Sequence, residues 1–391
     1  VTPASPAGGA RLPRAVIVLG IIAFCVAVGL GVLIPVLPVF ARTFGVGNFE
    51  IGAVLSAFAL MRLVSAPFCA RMIVRFGERL VLGTGMYLVA ISAALAGLAQ
   101  TYPQLLILRG IGGIGSAMFT VSAMTLLLAS VSPDRRGRAT GFFQGGFLIG
   151  SMAGPAVGGG LSTISLTAPF FFYAAALVVA GTIGLVLLRS SETGRTDGAS
   201  ASIPLADLIK DRRFQAACFA NVAHGWTSFG VRNSLVPVLM VEVLHGQPAW
   251  TGIAFAVASV VQTIMVLPAA RMTDTVGRRP AMITGCLTAA ASALAIPFAP
   301  NVWVLVIILC VYGIGAAFLG PAPAAAVGDA AGGRAGRGVA IFSMCGDLGA
   351  IAGPLVAGVL ADHVSYPVAF GVGALLIFAA AGLSFRMPSG R

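Results

Sequence analysis

Residues Gly141 to Gly159 read GFFQGGFLIGSMAGPAVGG. The run is apolar and long enough for a helix, yet glycine recurs at Gly141, Gly150, Gly154 and Gly158-Gly159, with Pro155 directly after Gly154. Each glycine inside a helix costs roughly 0.5–1 kcal/mol against alanine, so this many need a physical reason. In a bilayer, glycine lets two helix backbones approach closely. Proline removes a backbone hydrogen bond and bends the helix. Two readings stay open: a tightly packed helix of any membrane protein, or a bent, close-packed helix of one whose parts move.

The rest of the chain defines its solvent. Of 391 residues, 58% are hydrophobic and only 9% are charged, where a soluble domain carries about 25% charged residues. The fold class is all-α and integral to the membrane. Runs of the roughly 20 apolar residues that cross a bilayer occur twelve times, at about 15–40, 50–70, 80–100, 104–129, 138–161, 167–189, 214–241, 250–270, 280–298, 301–327, 338–361 and 366–386. The break between the ninth and tenth rests on Pro297 and Pro300-Asn301.

Net charge is +12, from 24 basic and 12 acidic residues, and Lys210 is the one lysine. With the N-terminus inside, every basic residue except Arg42, Arg62, Arg109 and Arg232 falls in a cytoplasmic segment. The positive-inside rule then puts both termini in the cytoplasm. The charge is topological, which removes nucleic acid as a partner and leaves the lipid bilayer. The expected location is the inner (plasma) membrane of a bacterium. Cys25, Cys69, Cys218, Cys286, Cys310 and Cys345 lie in apolar runs without a CxxC pair. They read as small packing residues, so neither metal nor cofactor is expected.

One long polar segment, Arg189–Arg213, contains SSETGRTDGASAS and reads as a linker between six spans and six. The expected division is a cytoplasmic tail over 1–14, a six-helix bundle over 15–189, a linker over 190–213, a second bundle over 214–386 and a tail over 387–391. The two bundles repeat each other. Gly77 maps to Gly277, and Gly113 and Gly115 to Gly313 and Gly315, each 200 residues on. Gly137 maps to Gly336, and Gly154-Pro155 to Gly353-Pro354, each 199 on. Parallel repeats with a site at the midplane between them describe a transporter architecture.

On these residues the chain resembles the major facilitator superfamily, and most of all its twelve-helix drug:proton antiporter group. The spacing G-x8-G-x3-GP-x2-GG over Gly141–Gly159 is similar to that group's fifth-helix pattern at each glycine. Arg109-Gly110-Ile111-Gly112-Gly113-Ile114-Gly115 resembles its R-x-x-x-G-x-G pattern, whose arginine faces the cavity and is linked to proton transfer. Arg109 also lies about five residues from the outer end, so snorkelling to the interface stays open. Ala270–Arg279 resembles the loop pattern G-x-x-x-D-R-x-G-R-R; the first copy, Ala70–Arg79, keeps Gly77 and Arg79 but has Val74 in place of the acid. The resemblance implies that Gly77, Gly277, Arg79 and Arg278 form tight, anchored turns, and that Asp274 sits near the N-terminus of the fifth helix as a gate. Leu33–Pro38 resembles the proline-rich exit of the first helix.

Charges within spans are functional candidates by default. Among the acids only Asp347 lies well inside a span. It is about nine residues from the cytoplasmic start of the eleventh span, and Arg62 is about nine from the cytoplasmic end of the second. Both are therefore roughly 13 Å deep. The resemblance implies that the second and eleventh spans are neighbours across the two halves, so we expect the two residues to pair there. The pair either holds the outward-facing state and separates when the cytoplasmic side opens, with protonation of Asp347 weakening it, or is a permanent structural pair with no role in the cycle. His224 is a further proton-coupling candidate, or a hydrogen-bonded packing residue. Arg232, Asn221, Trp226, Gln144, Gln262 and Phe229 are expected to line the cavity. The resemblance implies that exporters of lipophilic cations carry an acid in the first span; residues 15–40 hold none. With Arg109, Arg232 and His224 near the cavity, the expected substrate is neutral, zwitterionic or anionic, not a lipophilic cation. The hinges are Gly141, Gly150, Gly154, Pro155, Gly353 and Pro354, on interface helices where the halves rock.

The function that follows is a secondary active transporter, acting as a monomer, that exports a small organic compound against a proton gradient. Uptake or facilitated diffusion is the alternative in the same fold; a membrane sensor or scaffold is the alternative of another class. No Walker loop G-x-x-x-x-G-K-[ST], metal cluster or catalytic triad is visible in the sequence, so an enzyme is not expected.

Overall fold

The computed structural model describes residues 13–132, 135–188, 205–330 and 336–388, without the side chains of 205–207, 336 and 337. The greater parts of both expected tails, Arg11, the linker to residue 204 with Arg189 and Arg195, and Arg334 lie outside the described residues. The described residues form twelve helical spans. We label them α1 (Arg14–Leu33, continued by Leu37–Arg42), α2 (Asn48–Phe76), α3 (Glu78–Gly97), α4 (Tyr102–Ala129), α5 (Arg136–Ser162) and α6 (Ala168–Leu187). The second half holds α7 (Arg212–Gly225, a π-helix Trp226–Arg232, then Asn233–Glu242), α8 (Pro248–Thr275), α9 (Arg278–Ala295), α10 (Val302–Leu319, continued by Pro321–Ala330), α11 (Gly336–His363) and α12 (Tyr366–Phe385). The end of the expected linker has helical structure. Leu205–Lys210 is a short helix with Leu208 buried, and Arg212 and Arg213 already belong to α7.

Ten of the described spans are long and apolar enough to cross a membrane singly. The other two are α5, diluted by glycine and arginine, and α7, broken into three pieces. Each break has a cause. Pro35 has no N–H to continue the α1 ladder, and the helix resumes with Pro38 in its first turn. Pro321 opens the second piece of α10. Between α9 and α10 a 3₁₀ turn, Ile296–Phe298, holds Pro297, and Asn301 caps α10 by accepting from Val304 N at 3.0 Å. The reversals after α2 and α8 pivot on Gly77 and Gly277, with φ of 80° and 119°. That region favours glycine because it lacks a Cβ.

The duplication is visible as equivalent contacts. Ser92 Oγ donates to Leu108 O at 2.5 Å and Ser292 Oγ to Ile308 O at 2.6 Å, both pairs shifted by 200 residues. Gly52 packs on the Pro354 carbonyl of α11, and its counterpart Gly252 on the Pro155 carbonyl of α5. Each Gly-Pro therefore meets a helix of the other half.

The glycine face of α5 is covered mainly by α1 of the same half. A Cβ on Gly150 would stand 2.5 Å from Phe24 O, and one on Gly154 2.6 Å from the Gly31 Cα, both on α1 of the same half. Gly146 and Gly158 continue this ladder against Gly20 and Val32. Pro155 and Gly159 meet α8 of the other half at Gly252. Gly141 stands outside it: a Cβ there would meet nothing within 4 Å, and no close approach explains this glycine. On α11, Gly346, Gly349 and Gly353 likewise pack on α7, while Pro354 and Gly358 touch α2.

The halves are packed at one end and apart at the other. On α2 the face toward α11 runs from buried Asn48, Gly52 and Ser56 through half-buried Arg62 and Ala66 to exposed Ala70. On α11 the matching face runs from buried Gly358 and Pro354 through half-buried Ile351 and Asp347 to exposed Ser343 and Ala340. The open end is the one carrying Gly77, Gly277 and the arginine-rich turns.

Candidate functional site: a central cavity under a closed end

Three layers of cross-half contact close the packed end. Arg42 on α1 donates from Nε to Glu242 Oε1 at 2.5 Å and from Nη2 to Oε2 at 2.9 Å, a fork between positions 200 residues apart. Asp362, in the last turn of α11, accepts from Asn48 N at 2.9 Å, Asn48 Nδ2 at 2.7 Å and Phe49 N at 2.8 Å. A carboxylate of one half thus caps the α2 helix of the other, where the helix dipole favours an anion. Beneath it Ser56 Oγ donates to Ile351 O at 2.7 Å.

Below that layer Arg62 Nη2 donates to Asp347 Oδ1, joining α2 to α11. The pair is partly wet, with side chains 34% and 25% exposed. It forms while the arginine-rich ends stand apart. The expectation that the pair separates when that end opens is not met in this state, where the pair is formed with the end parted. The reason is its level on α2 and α11, less than two turns below Ser56 and still within reach of the packed end.

Arg62 borders a cavity of about 220 Å³ between α1, α2, α4, α5, α7 and α11. Its walls are mainly apolar, with Leu30, Ile34, Leu55, Phe58, Phe147 and Phe229 among them; Ser151 and Asn233 are the neutral polar groups and Arg62 and Arg109 the charged ones. Arg109 is 6% exposed and its guanidinium lies 4.5 Å over the Phe58 ring. It does not snorkel. Phe58 and its neighbours on α2 close the route to the interface.

The remaining expected site residues lie elsewhere. Arg232 stacks over Phe255 at 5.5 Å and Tyr312 at 5.3 Å, behind Asn233, whose Oδ1 accepts from Arg232 Nε at 3.3 Å. His224 has Arg232 as its charged neighbour, not Asp347, and its buried Nδ1 has no partner. Asn221 donates to Phe342 O at 2.6 Å and ties α7 to α11. The Trp226 backbone abuts Gly349 and Gly353 in the same crossing, and its buried Nε1 has no partner. Gln262 packs beside Gly313 of α10, and Gln144 is exposed on α5; neither is part of the cavity wall. The π-helix explains part of this. Its extra residue per turn rotates Phe229 and Asn233 to the cavity and leaves Arg232 facing α8 and α10.

The turn residues are divided in the same way. Arg79 donates to Leu185 O and anchors α3 to α6. Arg278 meets Asp329 at 2.9 Å and Asp274 at 3.9 Å. Asp274 does not sit at the start of α5; its side chain is 74% exposed, as the parted ends require. Sequence reading missed Phe58, Phe147 and Ser151, which carry no rare residue type, and the capping role of Asp362, whose signal was an acid opposite a helix start.

Compared with known proteins, the chain matches the family model of the Major Facilitator Superfamily over residues 19–232 and again over 217–390. The chain belongs to that superfamily. It is a family of transporters, not enzymes, and its double match mirrors the two halves. The quinolone resistance protein NorA of Staphylococcus aureus is 25% identical over 90% of this chain and 92% of its own length. The synaptic vesicular amine transporter of Bos taurus is 29% identical over 66% of this chain; the chain spans about half, 50%, of that relative. Among solved structures, a bacterial homologue of the human lysosomal transporter Spinster, inward-facing and unoccupied, superposes with a TM-score of 0.76 at 16% identity, covering 96% of this chain and 97% of that one. The nucleoside transporter NupG gives 0.77 at 15% identity, covering 95% and 99%. These likenesses establish the fold.

Proposed function

We propose that the protein is a secondary active transporter that exports a small, partly apolar organic compound by alternating access, driven by a proton gradient. The observation that carries this is the Arg62–Asp347 pair, which joins the halves at the wall of the cavity. Asp347 is the carboxylate at that depth among the described residues. A proton on it removes one charge of the pair and lowers the cost of separating α2 from α11. A substrate competing for Arg62 does the same. A pair that either ligand can open is what exchange of substrate for proton requires. By the positive-inside rule the arginine-rich end is cytoplasmic, so the described state is inward-open and both termini are inside. NorA is named for quinolone resistance, which supports export.

The charged groups of the cavity wall are two arginines, so neutral, zwitterionic or anionic substrates are favoured over cations. The name of the vesicular amine transporter points to the competing class. Flux in sealed vesicles containing the purified protein tests these points together. Export predicts uphill substrate movement against an imposed proton gradient, reversing with its sign. Movement with the proton instead establishes uptake, and high-affinity transport of a quaternary ammonium dye overturns the charge preference.

A further inference from the structure

Among the described residues Arg109 is a cation without a counter-ion. Its side chain is nine-tenths buried, it borders the cavity, and its Nε makes no hydrogen bond. Its one ring contact is Phe58, and its titratable neighbour is the Tyr173 phenol, not a carboxylate. The acid nearest to cavity depth, Asp347, is engaged by Arg62. A cation buried in a membrane interior is costly, and among the described residues its offset is the Phe58 ring, with no carboxylate beside it. The free edge of a guanidinium whose face is covered by a ring is a two-pronged donor, matched to a planar carboxylate.

The geometry points to a carboxylate-binding subsite at Arg109, for an amphiphile whose apolar body lies against Phe58, Phe147 and Phe229. This rests on the transporter reading and narrows its substrate class. Phosphate fits less well: the site offers one guanidinium and apolar walls, too few donors for a dianion. Ser151 and Asn233 are available for a second polar group.

The test is equilibrium binding to the purified full chain in lipid nanodiscs, with no pH gradient, using 2-naphthoate and its neutral isostere 2-naphthamide. Wild type is expected to bind the carboxylate saturably and about 10- to 100-fold tighter than the amide, the range of one charge-assisted hydrogen-bonded pair. Arg109→Gln should reduce naphthoate to the level of the amide and leave the amide unchanged. Arg109→Lys should keep part of the preference. Equal binding of the two probes by wild type, absence of saturable naphthoate binding into the millimolar range, or full retention in Arg109→Gln each overturns the subsite. The wild-type comparison decides even if Arg109→Gln does not fold. Naphthoate that binds at Arg109 but moves under neither sign of pH gradient would leave the subsite standing and remove the transport reading for this class.

Discussion

At the scale of single residues, Arg62 and Asp347 carry the coupling proposal. Their side chains are a third and a quarter exposed, between a surface pair worth about 0–1 kcal/mol and a buried pair whose breakage costs about 3–5 kcal/mol. Arg62→Ala is therefore expected to destabilise the detergent-solubilised protein by about 1–3 kcal/mol in thermal unfolding. The exchanged pair Arg62→Asp with Asp347→Arg should recover most of that loss. In vesicles, Asp347→Asn should abolish the dependence of transport on an imposed pH gradient; wild-type proton-driven transport by this variant would sink the coupling role. The level of these two residues was legible by counting turns, because a charge inside an apolar run is rare and each turn advances a fixed rise. Asn221, Gln144, Gln262 and Trp226 were not legible as groups outside the cavity wall. Their side chains could serve helix contact or cavity alike, and only rotation about the helix axis separates the two. The position of Arg232 depended on a π-helix that no hydrophobic period announces.

At the scale of elements, the α1–α5 crossing rests on Gly146, Gly150, Gly154 and Gly158, spaced four apart. A side chain at Gly154 would enter the backbone of Gly31 and Val28. Gly154→Val should cost about 1–3 kcal/mol or more and lower the yield of folded protein. Gly141→Ala meets open space and should stabilise the helix by up to about 0.5–1 kcal/mol. A large loss of stability in Gly141→Ala would show that its place in the glycine pattern has a packing cause after all. The pattern in sequence marked a close-packed helix and named no partner for its glycine face. Glycine spacing defines a face, but which neighbour covers that face is set by the arrangement of all the helices.

At the scale of the molecule, the packed end is held by Asp362 on the α2 start and by the Arg42–Glu242 fork. Loosening them should shift the population toward opening at that end. In an otherwise cysteine-free protein, a thiol probe at exposed Ala340 should label readily, and adding Asp362→Asn should slow that labelling severalfold as the arginine-rich ends close. Unchanged or faster labelling would remove Asp362 as a latch. Arg42→Glu with Glu242→Arg should label like the parent, since the fork is restored in reverse.

The sequence by itself determined the solvent, the twelve spans, the duplication into two halves and the identity of the rare intramembrane charges. These follow from hydropathy, length and spacing along one chain. Tertiary structure alone decided which end is closed, that Arg62 and Asp347 pair in the state open at the arginine-rich end, and that Arg109 faces a cavity without an acid. The physical reason is that the repeated halves can pack against each other at either end with the same sequence. Which contacts exist at a given moment is a property of that packing and not of the order of residues.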